Sequence, residues 1–170
     1  MASTKTASSV LLIANAILYF IVIVIASWAV NHGIARSYRT ASVMSMPAKI
    51  FPIYFPFGNM ATGFVVIYSL IAGVVGFITS VAAFLNLTGA QWDSPNLHSA
   101  AASSLVSWLL TLLAMGVACK EISLGWTDSN LRTLEIILII LSGTQLFCTG
   151  AIHAEVENVV SRERINLGRM

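Results

Sequence analysis

The chain has 170 residues, of which 57% are hydrophobic and only 9% charged, against roughly 25% charged in a typical soluble domain. A formal charge of +2, scattered along the chain, excludes nucleic-acid binding, and two cysteines do not make a disulfide framework. Nearly all the hydrophobic residues fall in four runs, at about 10–30, 62–87, 99–119 and 133–154. Each is long enough to cross a bilayer core of roughly 30 Å as a helix.

These runs hold a single carboxylate, Glu135. They predict an all-α integral membrane protein, an antiparallel four-helix transmembrane bundle forming one domain over 1–170. The lipid bilayer is then its first partner. Lys5 followed by apolar residues imitates a secretory signal, but signal cores run to about 15 residues and this run is longer. It ends at Ser27-Trp28-Ala29, where Trp28 stands as an interfacial anchor, so an uncleaved first span is expected. Asn15 and Tyr19 give that span a short polar patch.

The connection 31–59 is the longest. Its first half is polar and basic, with His32, Arg36, Arg39 and Lys49. Its second half, Phe51-Pro52-Ile53-Tyr54-Phe55-Pro56-Phe57-Gly58, is aromatic and too short to span. Two prolines forbid a regular helix there, and the segment is expected at the membrane boundary. Asn59 is placed to cap span two.

In lipid, helices associate through small residues and polar contacts, since apolar side chains gain little by leaving the tails. Span two carries Ala72, Gly76 and Ser80 at that spacing, with Ser69 and Gly73 beside them. Val65 is expected to face lipid. Span three repeats the pattern with Ser104, Ser107, Thr111, Ala114 and Ala118. Both stripes read as helix seams or as a pore lining. Trp108 falls mid-span, filling the core or facing lipid. Thr88-Gly89 stops span two, and Asp93-Ser94-Pro95 opens span three as a cap followed by proline at the first helical position.

On span four, Glu135, Ser142, Gln145, Thr149 and His153 share one helical face. Polar residues at membrane depth face the bundle or a wet cavity. The face therefore reads as interhelical hydrogen bonding or as a substrate path. An Arg132–Glu135 ion pair near the interface is expected. The tail after Ala154 reads as a solvated or surface-lying short helix. Cys119 and Cys148 would lie on the order of 20 Å apart in antiparallel spans and are expected as buried free thiols. Metal-ligand spacings, nucleophile elbows, phosphate loops and paired carboxylates at depth are lacking, so no enzyme activity, cofactor or metal is expected. Positive charge does not orient the chain. Lys5, Arg162, Arg164 and Arg169 share one side, against Arg36, Arg39, Lys49, Lys120 and Arg132 on the other.

Several segments together resemble a known family. They are Ala14-Asn15, Tyr19-Phe20-Ile21-Val22, Ile25-Ala26-Ser27-Trp28-Ala29, Asn31-His32-Gly33-Ile34, the aromatic-proline segment through Gly63, Leu131-Arg132-Thr133-Leu134-Glu135, and Gly143-Thr144-Gln145-Leu146. The chain is similar to the plant abscisic-acid-induced plasma-membrane proteins of the AWPM-like family. The resemblance implies a plasma-membrane location, cytosolic termini, and induction by abscisic acid, drought, cold or seed maturation. Abscisic acid influx is one role it implies. A non-transporting organiser, packing with itself or with other membrane proteins, is the other. For transport, Arg36 and Arg132 are the expected entrance groups, with Gln145, Thr149, His153 and Asn15 along the path.

Overall fold

A computed structural model describes residues 2–43, 60–88, 94–125 and 129–167. They form four helices: α1 (Ala2–Val43), α2 (Met60–Thr88), α3 (Ser94–Leu124) and α4 (Ser129–Leu167). All four are long and apolar enough to cross a membrane. Each packs on its neighbours in the chain, and α1 closes the ring against α4. The result is an antiparallel four-helix transmembrane bundle.

Its outer surface is apolar. On α1, Val10, Ile17, Phe20 and Val24 are exposed, as are Ile67, Ile71 and Ile78 on α2. The interior holds small residues and most of the mid-span polar ones. That inversion is stable in lipid, where outward apolar side chains cost nothing and inward polar ones need partners.

Two helices outrun the expected spans. α1 continues through 31–43, which the sequence suggests is loop, and is 42 residues long, or about 63 Å. No proline interrupts this stretch before Pro47, and one glycine costs a helix only about 1 kcal/mol. Thr40 Oγ1 donates to the Arg36 carbonyl at 2.9 Å and Ser42 Oγ to that of Arg39 at 2.7 Å, so the polar residues return their hydroxyls to the helix. α4 likewise runs on to Leu167, so the tail is one continuous helix and not a separate piece. α2 ends at Thr88, as expected, and α3 begins at Ser94, one residue before the expected first helical position at Pro95. α3 ends at Leu124, just before Gly125, whose φ of +72° suits glycine and whose N–H reaches the Ile122 carbonyl at 3.2 Å. The aromatic segment 51–57 and the Asn59 cap lie outside the described residues.

Both small-residue stripes are helix seams. Ala72, Gly73, Gly76 and Ser80 are buried, and a Cβ on Gly76 would overlap the ring of Tyr19 from α1. Ser104, Ser107, Thr111, Ala114 and Ala118 are also buried on α3. Val65 is a correction. It is fully buried in the main cluster with Tyr19, Val22, Ala114 and Leu138, because α2 is enclosed by α1 on one side and α3 on the other. Its lipid-facing arc instead carries Phe64, Ile67 and Ile71.

Gly76→Ala should destabilise the bundle by about 1–3 kcal/mol, since overpacking forces the Tyr19 ring off its seat. Gly76→Leu should cost more. Exposed Ile78→Leu is the control and should melt with the parent in detergent. Equal melting temperatures for parent and Gly76→Leu would remove the seam.

Candidate functional site: a buried polar column and an acidic pocket

Tyr19, Thr111 and Ser107 are all fully buried near the middle of their spans. Thr111 Oγ1 donates to the Ser107 carbonyl at 2.8 Å. That leaves the Tyr19 hydroxyl to donate to Thr111 Oγ1, also at 2.8 Å, while Ser107 Oγ approaches the Tyr19 oxygen at 3.5 Å. The hydroxyl thus joins α1 to α3 across the ring centre.

One turn towards the termini, Asn15 Nδ2 donates to Gln145 Oε1 at 2.9 Å and lies 3.3 Å from Cys148 Sγ. Thr149 Oγ1 reaches the Ser104 carbonyl at 3.3 Å. Trp108 Nε1 donates to the Ser142 carbonyl at 3.1 Å. These contacts tie α4 to α1 and α3. Among the described residues two buried atoms of this terminus-side half lack a partner, Asn15 Oδ1 and Ser80 Oγ. Ser80 also sits on the floor of an open apolar groove of about 350 Å³ between α1 and α2, walled by Ile13, Phe20, Phe77 and Phe84.

Towards loops one and three the interior turns dry. Val22, Val65, Ala72, Ala114, Ala118, Leu134 and Leu138 pack together at full burial. Beyond them Thr62 Oγ1 donates to Glu121 Oε1 at 2.7 Å. Glu121 is fully buried, and its Oε2 has no partner. Glu135 is 4% exposed and lies within electrostatic reach of Glu121. Thr111 and Glu121 are ten residues apart on one helix, about 15 Å of rise. The polar column therefore stops short of the acidic pocket.

The expected path residues divide accordingly. Asn15, Gln145 and Thr149 come together in the column. His153 is exposed, with Nδ1 at 2.8 Å from the Thr149 carbonyl of its own helix. Ser142 returns its hydroxyl to Ile139. Arg36 and Arg132 are exposed at the opposite end. Arg132 attracts Glu135 through space, but no ion pair joins them; Glu135 turns inward and Arg132 outward. Cys148 is buried as expected, whereas Cys119 is exposed on α3. Neither forms a disulfide.

Sequence reasoning passed over Thr62 and Glu121. The signal for Glu121 is present, because the α3 seam at 104, 107, 111, 114 and 118 steps next to 121. Among the described residues no group of three His, Cys, Asp or Glu could hold a metal ion.

The model of the AWPM-19-like family matches residues 13–155, a stretch containing the column and the pocket alike. The chain belongs to the AWPM-19-like family. It is similar to "Membrane protein PM19L" of Oryza sativa subsp. japonica, at 36% identity over 150 residues, covering 88% of this chain and 78% of the rice protein. No solved structure matches it. As an AWPM-19-like protein it is a multi-pass membrane protein.

The Asn15–Gln145 contact should register in a double-mutant cycle of Asn15→Leu and Gln145→Leu. Interhelical hydrogen bonds in membranes couple by about 0.6 kcal/mol on average and below about 2 kcal/mol. Strict additivity of the two melting shifts would show that the contact does not form.

Proposed function

We propose that this is a stress- and abscisic-acid-responsive protein of the plasma membrane that eases the influx of abscisic acid. The observation that supports this reading is the pair of partnerless buried atoms, Asn15 Oδ1 and Ser80 Oγ. A buried unsatisfied polar atom costs about 1–3 kcal/mol, and a purely structural bundle gains nothing by keeping two. An acceptor and a hydroxyl at membrane depth suit a small amphipathic acid carrying its own proton.

The dry layer selects the form that passes. A carboxylate anion in so apolar an interior would need a fixed cation beside it, and Arg36 and Arg132 stay outside. They would attract the anion to the loop-one face, with loops one and three outside the cell. The neutral acid would then move past the dry layer to Gln145, Thr149 and Asn15, with His153 near the cytosolic exit. The groove at Ser80 offers a side door from lipid.

The closed dry layer also favours a second reading, a non-transporting organiser that packs laterally with its own copies or other membrane proteins. Uptake of abscisic acid into proteoliposomes separates the two. The parent should exceed protein-free vesicles, most of all at acidic outer pH, and Gln145→Leu should lower the excess several-fold. With no excess at any pH, the organiser stands.

Orientation is tested in a cysteine-free background with Ser42→Cys at the end of α1 and Glu157→Cys near the end of α4, both exposed positions. An impermeant thiol reagent on intact cells should label position 42 and spare 157. The reverse pattern would invert the topology.

A further inference from the structure

We infer that Thr62, Glu121 and Glu135 form a binding site for one small monovalent cation, a proton or a sodium ion, at the loop-one end of the bundle. Glu121 is completely buried, yet only one of its carboxyl oxygens has a partner, the Thr62 hydroxyl at 2.7 Å. The second oxygen is orphaned. A second buried carboxylate, Glu135 on the adjoining helix, lies within electrostatic reach of it. Two buried negative charges with no cation between them repel each other and forfeit their hydration. One shared positive charge removes both problems.

The charged groups around the pocket do not supply it. On α3 the neighbouring Lys120 is exposed. On α4, Arg132 is exposed and acts on Glu135 only through space. On α1, His32, Arg36 and Arg39 are exposed. α2 contributes the Thr62 hydroxyl, and its one described titratable side chain, Tyr68, is nearly two turns further along. The donor set is all oxygen and hard, which suits a proton or Na⁺ and not a soft metal. A proton would complete an O–H on one carboxyl and be accepted by an oxygen of the other. Sodium would lie among the carboxyl and hydroxyl oxygens.

The three ligands come from α2, α3 and α4, so an occupied site fastens three helix ends together. An empty one drives α3 and α4 apart near the ends at Leu124 and Ser129. Occupancy is thereby linked to whether the loop-one end is shut. This linkage is separate from the abscisic acid reading and stands or falls without it.

The test uses the full chain purified in detergent. Its melting temperature is followed in choline chloride and in sodium chloride at equal ionic strength, at alkaline and at mildly acidic pH. Either acid or sodium should raise it by about 5 °C near saturation. Glu121→Gln, of nearly the same shape, should abolish that rise, and Thr62→Val should weaken it. Infrared spectra identify the occupant. A protonated carboxyl band present in the parent and absent from Glu121→Gln or Glu135→Gln marks a proton; a sodium-dependent rise without the band marks sodium. A parent that melts alike in all four conditions overturns the site, as does a response of equal size in Glu121→Gln. Should that variant not fold, Glu135→Gln decides by the same criterion.

Discussion

The close approach of Tyr19 to Gly76 sets the geometry on which the interior depends. With no side chain at Gly76, the aromatic ring occupies the space a Cβ would fill and α1 comes close enough for its hydroxyl to reach Thr111 on α3. A wider α1–α2 spacing would withdraw that hydroxyl from α3. It would also shift Asn15, one turn along the same face, away from Gln145 on α4. A glycine and a tyrosine thus align polar groups from three helices. In lipid this matters more than the apolar contacts around it, because apolar side chains are nearly as well solvated by tails as by each other.

The four spans, their order and both small-residue seams were legible in the sequence, since length and spacing report on membrane crossing and helix faces directly. Helix ends were less so. The polar stretch around Arg36 and Arg39 looks like loop by composition, but hydrophobicity measures where lipid stops and says little about where a helix stops. Gln145 and Thr149 turn inward, as polar residues within an apolar run are expected to, whereas His153 on the same face, near the end of the run, is exposed. Val65 was misplaced because its chemistry suits lipid and core equally well, and only the arrangement of neighbours decides. Glu121 was hidden by its position beside Lys120, where a charged pair reads as the end of a span. Its inward direction follows from the seam's spacing, which continues two residues past the apolar run.

The interior is layered along its axis. Hydroxyl and amide groups occupy the terminus-side half, an aliphatic layer follows, and a carboxylate pocket lies beyond it. Each layer draws residues from at least three helices, so a change in one helix is felt by every layer it crosses. Ser69 shows how the dry layer tolerates polarity: its hydroxyl bonds the Val65 carbonyl of its own helix and asks nothing of the neighbours.

The aliphatic layer has an electrical consequence. An energised membrane holds a voltage worth about 2.3 kcal/mol per unit charge for every 100 mV, and that voltage falls mainly where the medium is least polarisable. In this bundle such a medium is concentrated around Val22, Ala114 and Leu138. The protein can therefore keep water-loving groups deep within its walls without short-circuiting the membrane, much as a thin dielectric film insulates the plates of a capacitor.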